Sequence, residues 1–564
     1  MINASRGIAR ILKAEGTPFV SHFPSCKVNN AIGDEGQIPL IMMRDERYGV
    51  GVADAFSRIS DGKAFGVTTL LGASNAAGLQ FGTGAIAQAF EDNSPILCIT
   101  DAVSAVDAGN SHFVADRFYS HITKWTAEIT QAKRVPDFMA RAYTYLKTGK
   151  PGPVLLQVPT GLGDYDEEQF PYQVVKGWRS QADPDDVKAV VKTLLAAKKP
   201  MLYVGEGVFR SDATAELLEF AELAQIPVLA TLKGKSAFPE NHALSLGIRD
   251  IPANYYLENC DVLFAIGTSL SPSRFSHAIA NAASKTVIQL VVDVSDINKS
   301  YRVSQALLGD AKLTLKQLSQ EIAKQTGGGR APNKELHAEV AGLKAQKMDK
   351  YREAMESTET PINPYRVYNE MFKVMDPMNS FISGESGSAR DQISTVYDAV
   401  IPHAYFGWGN VSTLGFTLAG AVAAKLAFPK RQVVVVTGDA GLGYMHGNLE
   451  APIRYNLGVT VIHLNNGGYA GYGPGFWGAG QEPYTCNLTK SDVFNSAKSV
   501  EGIGMHSERI SDPNDIAPAL RRALDENAKN KPAFIEVITS QYPVWGVWAG
   551  MSAKGASRVQ KANF

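Results

Sequence analysis

The stretch that decides the fold runs from Val433 to Tyr469, VVVVTGDAGLGYMHGNLEAPIRYNLGVTVIHLNNGGY. Val433–Thr437 is a β-branched run, as a parallel strand buried on both faces requires. Gly438-Asp439-Ala440-Gly441 breaks it, and helical spacing follows through Leu449, Ile453 and Tyr455. Leu457-Gly458 closes that helix. Val459–Leu464 is a second buried strand, ended by Asn465-Asn466-Gly467-Gly468. In such a βαβ unit both strands finish on one edge of the sheet, where ligands of open α/β sheets bind. Asp439 and Asn466, 27 residues apart, both stand at that edge. A carboxylate, an amide oxygen and a free main-chain carbonyl are hard oxygen ligands, suited to Mg²⁺ that also holds phosphate oxygens. The plain alternative is a doubly wound βαβ unit without a ligand.

Outward from this stretch, strand and helix alternate along most of the chain, which predicts parallel sheets. Over the first 170 residues or so, Ile8–Leu12 reads as helix, and Phe19–Phe23 and Ile38–Met43 as strands. Glu46–Arg58, ERYGVGVADAFSR, is a helix with small residues suited to close packing. Phe65–Leu70 leads into the turn Leu71–Asn75, and Ile96–Thr100 and Val154–Val158 are further strands. A linker at about 172–185 precedes a second α/β unit with strands Met201–Val204, Val228–Ala230, Val262–Ile266 and Val287–Val292 around the helix Ala213–Leu223. From about 325 to 360 a Gly-rich, then charged and helical, connector leads to the third unit. The fold class is therefore α/β, three doubly wound parallel-sheet domains at 1–170, 185–325 and 360–545, with a tail at 546–564. That tail either folds over the site or packs as plain surface.

Composition sets the bounds. A chain of 564 residues is too long for one domain and suits about three or four. With 45% hydrophobic and 20% charged residues it reads as soluble and globular. A net charge of −1 implies no nucleic-acid partner. The N-terminus lacks the pattern of a secretory signal, and no apolar run is long enough to cross a bilayer. The four cysteines, Cys26, Cys98, Cys260 and Cys486, form no CxxC pair. The expected location is the cytoplasm.

The opening stretch resembles the thiamine diphosphate motif, GD followed after about 25–30 residues by NN. Other segments resemble acetolactate synthases in order along the chain. RDERYGVGVADAFSR (44–58) resembles HEQGAxHAAEGYAR, VTTLLGASNAAG resembles VTSGPGATN, and KPGPVLLQVP (150–159) resembles GPVLVDLP. MLYVGEGV and LKGKSAFPENHALSLG (232–247) match their central domain. GNVSTLGFTLAGAVAAKLAFPKRQVVVVTGDAG (409–441) resembles GGLGTMGFGLPAAIGAK followed by GDG. One departure within the motif is Ala440, where the family has Gly.

The resemblance implies a set of roles. Asp439, Asn466 and the carbonyl of Gly468 would bind Mg²⁺, which clamps the diphosphate. Gly438, Ala440, Gly441, Tyr469 and Asn75 would also contact the cofactor. Glu46 would hydrogen-bond the pyrimidine N1′ and favour the imino tautomer whose 4′-nitrogen deprotonates C2; such a carboxyl needs a dry setting that raises its pKa. The plain reading of Glu46 is compensation of the helix dipole. Leu414 would support the bent cofactor, with the Ser412 carbonyl and Leu414 amide on the pyrimidine. Ser386, Gly387 and Ser388, after Glu385, stand where the family has a diphosphate-contacting turn. The reaction implied is C2 carbanion attack on a small 2-oxo acid, loss of CO₂, and protonation of the enamine or its addition to a second carbonyl. The family also implies a homodimer or homotetramer, with Glu46 and the diphosphate site contributed by different subunits.

The substrate side departs from the family. Thr160 replaces a Lys, Ser111 or His112 replaces a Gln, and Thr68 stands where benzoylformate decarboxylases have a His. Cys26 falls where these enzymes have a small residue facing the thiazolium. His112 is the nearby imidazole able to move protons near neutral pH, and with Cys26 it completes the catalytic set; a structural role is the alternative for each. Tyr469, Tyr472, Phe476 and Trp477 are candidates for an apolar lid. GTSLSPSRF replaces the family's GARFDDR, which argues against FAD. The expected activity is a decarboxylase or carboligase. Alternatives are an acetolactate synthase with an altered pocket, a C–C lyase acting on a diketone or 2-hydroxyacyl thioester, and an inactive regulatory homologue.

Overall fold

Runs of Val, Ile and Leu bounded by Gly, Asn and Asp become buried strands here because helices cover both faces of each sheet. The computed structural model describes residues 1–72, 76–103, 113–272, 276–407, 409–468 and 495–540. It contains three parallel sheets, as the alternation predicts. The first holds Val20–His22, Leu40–Met42, Gly66–Leu70, Ile96–Ala102, Trp125–Glu128 and Val154–Pro159. Counted in chain order, these lie side by side as 2-1-3-4-6-5, every pair parallel. The central sheet, Pro200–Val204, Val228–Ala230, Val262–Ile266, Thr286–Val291 and Gln305–Leu308, has the order 2-1-3-4-5. The third, Ser380–Gly384, Tyr405–Phe406, Gln432–Gly438, Val459–Asn465, His506–Ile510 and Ala533–Ile538, repeats 2-1-3-4-6-5. In each sheet the order reverses between strands one and three, so the crevice for a ligand opens beyond the carboxyl ends of that pair.

Contacts divide the chain into two units. One is Met1–Arg179 with Asn410–Ala427; the other is Ser180–Gly409 with Phe428–Phe564. In the first unit the helix Phe416–Ala427 lies on the helix Glu46–Ile59. Small residues permit the close approach: a Cβ on Gly51 would stand 3.1 Å from that of Ala419. The next strand is just as tight, since a Cβ on Gly66 would stand 2.0 Å from the Ala53 carbonyl oxygen. In the second unit one continuous apolar cluster runs from Leu202, Phe264 and Ile288 of the central sheet to Val434, Ile462 and Ile535 of the third. The connector's helix, Lys334–Met355, buries Val340, Tyr351 and Met355.

One of the expected helices differs from the sequence reading. The helix after Asp439 is not continuous but breaks into Asp439–Met445, a 3₁₀ turn His446–Asn448, and Glu450–Arg454. Gly443 and Gly447 hold helical geometry weakly, and Pro452 has no N–H to donate to the carbonyl one turn back. Periodicity reports the apolar face of such a segment but not these interruptions.

Candidate active site

Asp45 is extended and caps the helix Glu46–Ile59, its side chain accepting the Tyr48 N–H at 2.9 Å. Glu46 therefore opens the helix beneath neighbouring elements and is only 6% exposed. Burial pushes its carboxyl above the usual carboxylate range, with the charge of Asp45 adding to the effect. The carboxyl lies over Gly78 in the helix Ala77–Glu91, where a Cβ would come within 2.0 Å of Glu46 Oε1. This is the dry setting expected of Glu46.

The segment that carries Ser412 and Leu414 comes beside this helix. Arg47 donates to the Leu414 carbonyl, and Leu414 lines a small pocket with Arg47, Tyr48, Gln88 and Phe416. Ser412 takes the left-handed conformation, φ 58°. The segment is anchored by a buried polar chain that the sequence reading did not name. Arg58 grips both oxygens of Asp54 at 2.8 Å and reaches Asp92 at 3.0 Å. Gln88 donates to Asp54 at 3.2 Å and accepts the Thr413 N–H at 3.1 Å, while Asp92 accepts the Asn410 N–H at 3.2 Å.

At the carboxyl edge of the first sheet Cys26 is buried, and burial pushes its thiol up to about 12, with Asp101 adding to the effect. It is therefore a neutral thiol at ordinary pH. Thr68 is fully buried, and Thr160 donates its N–H to the Ala102 carbonyl. Asp101 accepts the Gly72 N–H at 2.7 Å, which ties the turn after strand three to the end of strand four. An imidazole not anticipated from sequence, His22, ends the first strand. The Thr69 hydroxyl donates to Asn29 Oδ1 at 2.6 Å, so the amide nitrogen faces Phe23 O and His22 Nδ1, both at 3.1 Å. His22 Nδ1 then accepts, and its proton sits on Nε2. Asn75, Ser111 and His112 lie outside the described residues, as do Tyr469, Tyr472, Phe476, Trp477, the tail at 546–564 and part of GTSLSPSRF.

The third sheet brings Asp439 and Asn466 together at its edge. Asp439 Oδ2 accepts the Asn466 N–H at 3.2 Å. Two consecutive side chains shape the turn: Asn465 Oδ1 accepts the Gly467 N–H, and Asn466 Oδ1 the Gly468 N–H, both at 3.1 Å. Gly467 has φ 80°, a conformation that favours glycine. Buried Glu536 holds the base of the turn, accepting Asn465 Nδ2 at 2.6 Å, the Ala497 N–H at 2.9 Å and Arg509 at 3.2 Å. Across the switch point, Ser386-Gly387-Ser388 follows strand one; Gly387 has φ 105°, and the helix Ser388–Val396 starts without a side-chain cap. Gly441 is the close neighbour of that turn, since a Cβ there would meet Glu385 Cγ and Thr437 Oγ1 at 2.4 Å. Gly438 ends the strand, and Ala440 and Gly441 lie in the first turn of the helix that follows at once. Among the described residues no three His, Cys, Asp or Glu cluster to hold a metal. A cation here would draw on one carboxylate, amide and main-chain oxygens, and oxygens of a phosphate ligand, a set that fits Mg²⁺. Sequence reasoning missed Glu536 and Gln88. Glu536 had one signal, an acidic residue inside the apolar run AFIEVI.

Comparison with known proteins gives the same picture over the whole chain. Residues 2–125 match the thiamine pyrophosphate enzyme N-terminal TPP binding domain, 187–318 the central domain, and 385–537 the C-terminal TPP binding domain. A probable acetolactate synthase large subunit of Methanococcus aeolicus is 27% identical over 554 residues, covering 93% of this chain and 90% of that protein. The acetolactate synthase isozyme 3 large subunit of Escherichia coli strain K12 is 25% identical over 591 residues, covering 100% of both. The glyoxylate carboligase of Escherichia coli O157:H7 is 26% identical, covering 94% of this chain and 91% of that protein. Because all three parts match in order along one chain, the protein belongs to the thiamine pyrophosphate enzyme family.

Proposed function

We propose that this is a thiamine diphosphate- and Mg²⁺-dependent carboligase or decarboxylase acting on a small 2-oxo acid. The observation that carries the reading is Glu46, a buried carboxyl with raised proton affinity at the start of a capped helix. When bound, the cofactor supplies a nucleophilic carbon and an electron sink for loss of CO₂. Glu46 holds a proton for a ring nitrogen of the cofactor, and burial keeps water from competing for it. Asp439, Asn466 and the Gly468 carbonyl hold Mg²⁺. The uncapped start of the helix Ser388–Val396, with the turn at Ser386 and Gly387, offers main-chain N–H groups to the diphosphate. Leu414, fixed by Arg47 and Gln88, supports the ring. Cys26, protonated and apolar in character, lines the pocket, and His112 is the proton carrier on the substrate side. No flavin enters this reading, on the departure at GTSLSPSRF. The active enzyme is a homodimer or homotetramer located in the cytoplasm.

The test is CO₂ release by the protein with thiamine diphosphate and Mg²⁺ over a panel of 2-oxo acids, with products identified by mass spectrometry. CO₂ with an aldehyde identifies a decarboxylase; CO₂ with an acyloin or acetohydroxy acid identifies a carboligase. Acetohydroxy acid from pyruvate alone would make it an acetolactate synthase in activity, as the names of its relatives suggest. Turnover unchanged by Glu46→Gln would refute the mechanism. Bound cofactor without CO₂ from any acid would favour C–C cleavage of a diketone or 2-hydroxyacyl thioester.

A further inference from the structure

The strand Val459–Asn465, VTVIHLN, is apolar apart from one imidazole placed two residues before the Asn-Asn turn. His463 is 0% exposed. Its Nδ1 lies 2.8 Å from Ser496 Oγ at the start of the helix Ser496–Glu501. Its Nε2 has no hydrogen-bond partner among the described residues, and it stands 3.6 Å from Asp439 Oδ1. The Phe534 ring packs at its side, with 6.2 Å between ring centroids. A central strand ordinarily has Val or Ile at such a position, and a buried ring nitrogen without a partner is costly. Its orientation follows from electrostatics. If the Ser496 hydroxyl donates to Nδ1, Nε2 carries the proton and faces the Asp439 carboxylate with its positive end. The opposite arrangement would set a lone pair against a carboxylate.

We infer that His463 is a positioning residue for the cation site: it fixes the plane of the Asp439 carboxylate from behind, on the oxygen that Asn466 leaves free. The inference rests on the reading of Asp439 and Asn466 as metal ligands. Oδ2 is held by the Asn466 N–H at 3.2 Å, and Oδ1 faces His463. Between them the two contacts restrict rotation about the bond to the carboxylate, so that its outward lone pairs keep one direction. Groups that orient a metal ligand in this way typically change metal affinity by about 10–100-fold when removed. Ser496 acts one step further back, by setting which ring nitrogen bears the proton.

The test is titration of the full-length protein with Mn²⁺ in the presence of thiamine diphosphate and without substrate, with free Mn²⁺ read from its electron paramagnetic resonance signal. His463→Val, which suits a central strand, is expected to weaken Mn²⁺ binding about tenfold or more. Ser496→Ala is expected to weaken it less, and His463→Gln, which returns an N–H to the site, to recover part of the loss. Mn²⁺ affinity equal to that of the parent in His463→Val would overturn the inference and leave His463 a packing residue. Should that variant not fold, parental affinity in both Ser496→Ala and His463→Gln would overturn it equally. Asp439→Asn separates the two levels. If it binds Mn²⁺ as the parent does, the metal-site reading itself fails; if it loses Mn²⁺ while His463→Val does not, only the role of His463 fails.

Discussion

A carboxyl group that is to hold a proton has to be taken out of water, and Glu46 is buried, with its proton affinity raised by that burial. A thermodynamic consequence follows. Below the ordinary carboxylate range, near pH 4, Glu46 is protonated whether the protein is folded or not, and its ionisation costs nothing. As pH rises through the window between the ordinary and the raised value, the unfolded chain gives up the proton first, so stability falls. Glu46→Gln should melt at the parent's temperature near pH 4 and a few degrees higher at pH 7–8, by calorimetry at each pH. Gly78 sets the geometry of the same carboxyl. Gly78→Ala would place a Cβ 2.0 Å from Glu46 Oε1 and should lower kcat at least tenfold with the far-ultraviolet circular dichroism unchanged, because misplacing a catalytic group by about 1 Å can cost 10²-fold. The site residues proposed from the sequence, Glu46, Asp439 and Asn466, lie within runs of several matching residues or at fixed offsets from Gly and Asn turns. His22, Gln88 and His463 carry no such context. Gln88 and His463 acquire their meaning from partners tens to hundreds of positions away, Thr413 and Ser496, and His22 from Asn29, which Thr69 orients.

At the scale of the element, the helix Glu46–Ile59 depends on an ion cluster at its far end. Arg58 holds Asp54 and Asp92 with all three side chains at most 3% exposed. Removing the cation would leave two buried carboxylates, a loss of about 3–5 kcal/mol. Arg58→Met should therefore lower the denaturant midpoint strongly, and by loosening Gln88 and the Asn410–Leu414 segment it should also weaken thiamine diphosphate binding. Asp54→Asn with Asp92→Asn in the Arg58→Met background should restore part of the stability but not the cofactor affinity. The strands named from sequence agree to within a residue or two, as with Val228–Ala230 and Val262–Ile266, since a strand buried on both faces needs an unbroken apolar run; the edge strands Trp125–Glu128, Gln305–Leu308 and His506–Ile510, which carry polar residues, are not among them. The sequence pattern reads the helix after Asp439 as continuous because apolar spacing survives a 3₁₀ turn while the hydrogen-bond ladder does not.

For the molecule as a whole, the number of sheets was legible and their grouping was not. Three α/β units follow from alternation along the chain, but the shared core of the central and third sheets arises from side chains far apart in sequence. The two contact units predict unfolding in at least two calorimetric steps, with the central and third sheets melting together in one of them. Limited proteolysis at a temperature between the steps should cut within one unit and spare the other. The repeated strand order of the first and third sheets has a consequence of its own. In both, an aspartate acts as a clasp between the ends of strands three and four, but the clasps are wired in opposite senses. Asp101 rides on strand four and reaches back to the Gly72 N–H, whereas Asp439 opens the helix after strand three and reaches forward to the Asn466 N–H. Each acid fastens a backbone N–H of the opposite strand end, one reaching back and the other forward. Two copies of one architecture thus carry the same latch, fastened from opposite ends.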